Sequence, residues 1–305
     1  MRICSLLPSA TEIVGALGLT DALVGRSEEC DWPPEVASLP VVTAARVDTS
    51  AIESLEIDRA VREALADGRS LYALDEELIE ELAPDVILTQ DLCAVCAVSS
   101  DDVSRLCGVD AALLSLDPRG IAGIQDSVRE LAAHLGVAGA GEQVVTRMDE
   151  TIGRVRERVA GLERVRVFVA EWLDPPFAAG HWVPEMVAHA GGHEVLGIAG
   201  QASFPTTWEA VLERRPELVV LAPCGFDAVR TAREADLPPL SCRVVAVDAN
   251  AYFSRPAPRI ADGIAQLAFL LHPDVVPDPG LPWIELAPAA ASSNASVRRS
   301  AARAQ

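Results

Sequence analysis

The chain has 305 residues, half of them hydrophobic, and a net charge of −20. That length accommodates two domains of ordinary size, while no apolar run approaches the roughly 18 to 20 residues of a membrane span. The acidity excludes nucleic acid as a partner, because phosphates need a basic face. All 25 basic residues are Arg, so Schiff-base chemistry and a catalytic Lys are excluded too.

The first strand is predicted over 2–6, and Ser9 or Thr11 is expected to cap a helix over 10–17 that Gly18 ends. Further strands are expected at 22–25, 40–42, 85–89 and 112–116, and helices at 55–66, 75–83, 100–107 and 121–135. Asp85-Val86-Ile87-Leu88-Thr89 is the clearest buried strand, a short apolar run after Pro84. From Gly139 to Leu162 one long helix is predicted, because Val144, Val145, Met148, Ile152, Val155 and Val159 share a face.

A second alternation follows. Strands are expected at 165–170, 218–221 and 243–247, and helices near 183–190, 207–214, 226–234 and 256–271. Thr206 is expected to cap the 207–214 helix, with Glu209 completing a capping box. The pattern reads as α/β, with two Rossmann-like lobes joined by a single backbone helix. The divisions are an N-terminal lobe at 1–138, the connecting helix at 139–163, a C-terminal lobe at 164–277 and a tail at 278–305 without fixed structure. The tail holds the only basic cluster, Arg298, Arg299 and Arg303. A ligand is expected in the cleft between such lobes.

The seven cysteines are Cys4, Cys30, Cys93, Cys96, Cys107, Cys224 and Cys242. An odd set without a regular framework reads as reduced thiols. No basic or apolar leader precedes the first strand, so a cytoplasmic location is expected, with a periplasmic or lipoprotein form only if the start site is misassigned. Cys93 and Cys96 form a CxxC after the strongest strand. They either pack inside, hold a soft metal such as Zn or Fe with Cys30 and His181, or form a redox pair. The usual catalytic fingerprints for hydrolases, metalloproteases, phosphate loops and dinucleotides are absent.

Expected ligand contacts are apolar walls from Trp32, Trp182 and Phe253 with polar contacts from Gln90, Asp91 and Arg255. His181 and Trp182, in Gly180-His181-Trp182, either offer an imidazole and an indole to the ligand or anchor the loop with Trp182 buried. His193 is expected in a Gly-Gly-His turn.

Several segments, in order, carry a resemblance: Ser5-Leu6-Leu7-Pro8-Ser9-Ala10-Thr11-Glu12, Cys30-Asp31-Trp32-Pro33-Pro34, Leu82-Ala83-Pro84-Asp85, Asp174-Pro175-Pro176-Phe177, His189-Ala190-Gly191-Gly192 and Tyr252-Phe253-Ser254-Arg255-Pro256. Over about residues 2 to 273 the chain resembles the cobalamin-binding branch of the helical-backbone metal-receptor superfamily. These are the substrate-binding proteins of ABC importers for cobalamin, haem and ferric siderophores. The resemblance implies a class III periplasmic-binding-protein-like fold, cobalamin or another corrinoid or metal chelate as ligand, and an ABC-transporter permease as partner. It also implies acidic handles for the transporter, for which Asp101, Asp102, Asp227 and Glu234 are in place. The chain departs from the branch in lacking a leader, in a longer stretch over Asp58–Tyr72, and in the CxxC loop. The alternatives are a metal- or thiol-dependent enzyme on the same scaffold, using Cys30, Cys93, Cys96 and His181, and a siderophore or haem receptor.

Overall fold

The computed structural model describes residues 1–47, 52–66, 70–92, 103 and 110–286. The chain divides into two compact units. The first is Met1–Pro118 with Ala122–Thr146, and the second is Arg119–Ile121 with the chain from Arg147 onward.

In the first unit β1 (Ile3–Ser5) lies between β2 (Leu23–Arg26) and β5 (Val86–Thr89), with β6 (Ala112–Ser115) outside β5, and every pairing is parallel. All residues of β1 and β5 are buried, as befits strands covered on both faces. The helix Pro8–Ala16 starts on Pro8 with no side-chain cap. The expected caps Ser9 and Thr11 therefore lie inside it, since Pro at the first position needs no N–H partner. Asp75 caps the helix Glu76–Leu82 through Leu78 N–H at 3.0 Å, and Ala83 ends it in the left-handed region. The strand expected at 40–42 is displaced. Val41 makes one bridge to Arg26, and pairing begins at β3 (Thr43–Ala45), antiparallel to an unexpected β4 (Tyr72–Leu74). The helix expected at 100–107 lies, but for Val103, outside the described residues.

The helix Ile121–His134 and the long helix Ala138–Val159 follow. All six residues expected on the apolar face of the long helix are buried. At Gly141 the two helices come close, for a Cβ there would lie 2.5 Å from that of Ala132.

In the second unit β7 (Val165–Leu173), β11 (Leu218–Leu221) and β12 (Arg243–Val247) form a parallel centre. The other edge of β7 changes partner along its length. Its first residues pair in parallel with β9 (Gly192–Glu194), and its last form a hairpin with β8 (Pro176–Ala178), which in turn carries β10 (Phe204–Pro205). The helices are Val183–His189, Trp208–Glu213, Ala228–Glu234, Ala249–Tyr252 and Ile260–Leu271. Thr207, rather than Thr206, caps Trp208–Glu213 by accepting from Ala210 N–H at 3.2 Å, and because Ala210 stands three residues on, Glu209 does not complete the expected capping box. His193 belongs to β9, not to a turn.

The tail expected to begin at 278 is corrected in part, because Trp283–Leu286 forms β13, antiparallel to β12. The Trp283 ring packs edge-on against Phe269 at 6.0 Å, and Gln266 Nε2 donates to Pro282 O at 3.0 Å. These contacts bring the segment onto the open edge of β12, where the Pro- and Ala-rich composition gave no strand signal.

Gly141→Ala should destabilise the protein by about 1 to 3 kcal/mol through overpacking. A Cβ at Gly153 meets nothing within 4 Å, so Gly153→Ala should stabilise by roughly 0.5 to 1 kcal/mol. Urea unfolding of both variants measures the contrast, and equal effects would remove the close-approach account of Gly141.

Candidate functional site

In an open parallel sheet the loops at the strand carboxyl ends are where chemistry is carried. In the first unit, the loop after β2 turns back through Cys30 N–H to Ser27 O at 3.1 Å, and Arg26 Nη1 holds the carbonyls of Ser27 and Cys30 at 3.0 and 3.1 Å. That turn buries Cys30, placing its Sγ 3.0 Å from Thr11 Oγ1, which is 2.8 Å from Ser5 Oγ. Burial, with Cys30 nearby, pushes the Cys4 thiol up to about 12. A thiol so placed stays protonated and inert.

Cys30, expected as a metal ligand, is buried with its sulfur against Thr11. Cys93 and Cys96 lie outside the described residues. Among the described residues no three His, Cys, Asp or Glu side chains are grouped to hold a metal.

Trp32 keeps 43% of its surface exposed. It precedes Pro33, whose ring sits so close to the helix Pro8–Ala16 that a Cβ on Gly15 would lie 2.8 Å from Pro33 Cδ. The indole is therefore presented from a corner with a fixed seat. At the end of β5 Gln90 is buried and Asp91 is exposed. Asp91 N–H donates to Asp117 Oδ1, and Ser115 Oγ lies 3.0 Å from Asp91 Oδ2 and 2.7 Å from Asp117 Oδ2. Ser115 and Asp117 were not anticipated. Gln90, expected as a polar contact, is instead turned into the unit.

In the second unit the expected apolar walls are interior. Trp182 is 6% exposed and its Nε1 donates to Phe253 O at 2.7 Å, while Phe253 is 1% exposed. Arg255 is likewise buried, with Nη2 donating to Asn250 Oδ1 at 2.9 Å. These three assignments are corrected, because Trp182 and Phe253 bury each other across one hydrogen bond and Arg255 is held within its own segment by Asn250. Burial raises the carboxyl of Asp248 against the pull of Arg259 and Arg255. Asp227 caps the helix Ala228–Glu234, and Glu234 pairs with Arg230 at 2.8 Å. Asp101 and Asp102 lie outside the described residues.

His181 remains accessible in part and is held from both sides. Its φ is +47°, its N–H donates to Gln201 O at 2.6 Å, and its carbonyl accepts from Gly200 N–H at 2.9 Å. The ring stacks on Trp182 with centroids 5.6 Å apart and a 30° tilt. Burial, and then Arg119, lowers the imidazole pKa, which favours the neutral ring.

The chain around His181 is set by Glu194. Its carboxylate accepts from Val169 N–H at 3.0 Å, Leu196 N–H at 3.1 Å and Gly197 N–H at 3.0 Å. The residue as a whole is half-buried, and its carboxylate is enclosed. Its burial outweighs those donors and raises its pKa to about 7.

Residues 3–237 match the family described as periplasmic binding protein. The chain belongs to the periplasmic binding protein family. A vitamin B12-binding protein of Pectobacterium carotovorum is 24% identical over 270 residues, covering 85% of this chain and 84% of that protein. A periplasmic haem-binding protein from Roseiflexus sp. has a similar structure, with TM-score 0.66 and 21% identity over 90% of this chain and 98% of its own. The periplasmic vitamin B12-binding protein of Vibrio cholerae gives TM-score 0.61 and 21% identity, covering 88% and 96%. The mixed α/β, class III-like fold is that of these neighbours, and the chain is a substrate-binding protein of the kind that serves ABC importers. Among the described residues no helix is long and apolar enough to cross a membrane.

For a periplasmic binding protein the strand ends also offer residues that the sequence reading passed over. Trp172, near the end of β7, meets the buried Phe226 ring at 5.5 Å, and Arg230 covers that ring at 3.8 Å. Glu171 accepts from Gly180 N–H at 3.1 Å. Their place at the carboxyl end of the long second-unit strand, in Glu171-Trp172, was the available signal.

The Glu194 carboxyl binds its proton more tightly folded, at about 7, than at its ordinary 4.5. Its contribution to stability is therefore complete below about pH 4.5 and is lost as pH rises through about 7, a span of at most about 3 kcal/mol. The stability difference between the wild type and Glu194→Gln should shift against the wild type between pH 5 and 8, about. Urea midpoints across that range measure it, and a constant difference would overturn the assignment.

Proposed function

We propose that this periplasmic binding protein family member binds cobalamin or a related corrinoid, as an ABC-importer-type substrate-binding protein working in the cytoplasm. The observation carrying the ligand is the similarity to a vitamin B12-binding protein along 85% of the chain. The odd set of seven cysteines supports a reducing compartment. Cell fractionation with an antibody to the native chain tests that location, and recovery outside the cytoplasmic fraction overturns it.

The chemistry at the strand ends agrees with such a ligand. Trp32 offers an exposed flat indole, suited to a large planar face. Asp91 and Asp117, at the strand ends of the first unit, are acceptors. They suit the amide N–H donors on a corrin periphery better than the carboxylates of haem or of many siderophores.

Calorimetric titration of the purified, reduced protein with cyanocobalamin tests the reading, with haemin as comparison. Saturable binding by about 50 μM is expected, and its absence overturns the corrinoid reading, while selective haemin binding would favour the haem receptor. Trp32→Ala should weaken cyanocobalamin binding by about 1 to 2 kcal/mol, the cost of removing an interfacial aromatic anchor. Stoichiometric zinc or iron that is lost in Cys93→Ser would instead favour the metal-dependent alternative.

A further inference from the structure

A half-buried histidine that serves packing ordinarily has a hydrogen-bond partner for its ring and an unstrained backbone. His181 has neither. Its φ of +47° lies in the left-handed region, which costs a residue with a Cβ roughly 1 to 2 kcal/mol. Among the described residues its ring nitrogens make no hydrogen bond, and its ring contact is the stack on Trp182.

Yet the surrounding chain over-determines this conformation. Glycine is required on both sides of the contact that holds it. A Cβ on Gly180 would lie 2.3 Å from Ser203 N and 2.5 Å from Gln201 O, and one on Gly197 would lie 2.4 Å from Ala179 O. The Ile198 N–H then donates to Ala179 O at 3.2 Å, while Gln201 O and Gly200 N–H hold the two peptide groups of His181. Trp182, the platform beneath the ring, is fixed by its bond to Phe253 O. Gly180 N–H donates to Glu171 Oε1 at 3.1 Å, which ties the turn to the carboxyl end of β7. The backbone is thus held in place around a side chain whose ring nitrogens make no hydrogen bond among the described residues.

From this geometry we infer that His181 coordinates the metal of the bound corrinoid directly, so that the preferred ligand is a corrinoid with an exchangeable axial position. The inference rests on the corrinoid reading above. The step is a ligand exchange at cobalt(III): an imidazole nitrogen donates its lone pair, the Co–O bond to a bound water breaks, and that water leaves with no change in oxidation state. Imidazole is a suitable donor for such a centre, and the Trp182 stack fixes its plane as second-shell contacts do for metal-bound histidines.

The experiment compares diaquocobinamide, whose axial waters exchange, with cyanocobalamin, whose two axial positions are filled. Wild-type protein should shift the visible bands of diaquocobinamide to those of an imidazole-bound corrinoid and leave the spectrum of bound cyanocobalamin unchanged. His181→Ala and His181→Gln should abolish the shift and weaken diaquocobinamide binding about tenfold or more. Both variants should keep the far-UV circular dichroism and urea midpoint of the wild type to within about 1 kcal/mol, which certifies their folding. Diaquocobinamide bound by the wild type without a spectral shift, or a shift retained in both variants, overturns the coordination and leaves the corrinoid reading standing. Failure of the wild type to bind either corrinoid overturns that reading itself.

Discussion

The carboxylate of Glu194 fills the place where the edge of β7 exchanges one partner strand for another. Along residues 165–167 that edge is paired with β9, and from Ala170 onward with β8. Between them Val169 N–H has no strand carbonyl opposite it, and Glu194 Oε2 takes the role at 3.0 Å. A buried N–H left without an acceptor costs about as much as a lost hydrogen bond. The division of the edge therefore depends on a side chain that is itself expensive to bury. The second oxygen recovers part of that cost by holding Leu196 and Gly197. In doing so it fixes the direction of the chain that returns past Ala179 to His181. One interaction thus sets the sheet register, the loop and the orientation of the candidate ligand.

Much of this arrangement was readable before any coordinates. The runs Val86–Thr89 and Leu218–Leu221 are short, apolar and buried throughout, so continuous hydrophobicity pointed straight to parallel strands. The apolar stripe of Ala138–Val159 was equally plain, because helical period is a property of the local sequence. The strands that were missed, such as β4, β8, β9 and β13, are three or four residues long. β4 and β13 pair antiparallel to strands distant in sequence, β8 folds back on β7 after two residues, and β9 pairs on an edge of β7 left free by β8. Nothing within three residues encodes a partner. The edge of β3 makes a strand of β4, and the edges of β7 and β12 make strands of the others.

The sequence points to loops at strand ends, where a parallel sheet carries its functional residues, and says less about which side chains stay exposed there. Which aromatic side chains remain available is a matter of tertiary satisfaction. Trp182 buries its ring because Phe253 O accepts its indole N–H, and no local pattern announces a carbonyl 71 residues away. Cys30 followed a strand as a ligand might, but Arg26 draws its carbonyl and that of Ser27 together, so that the sulfur turns toward Thr11. Glu194 was passed over for the same reason, since its importance comes from an N–H on a neighbouring strand.

Trp32 and Trp182 show what separates an exposed aromatic from a buried one in this chain. Each opens onto a proline-containing segment, and each was expected to line the site. The difference is in what lies next to the adjoining chain. Pro33 occupies the space over Gly15, so the packing at that corner is provided by the proline ring and the indole stays outside. At Trp182 the following Val183 and Pro184 are also buried, but the indole itself is drawn in by a hydrogen-bond acceptor and then serves as the floor for His181. The apolar ring predicted to touch the ligand instead orients the imidazole beside it. That exchange of roles makes the position of His181 intelligible: a strained backbone is tolerated where the neighbouring ring, two glycines and a buried carboxylate leave it no other conformation.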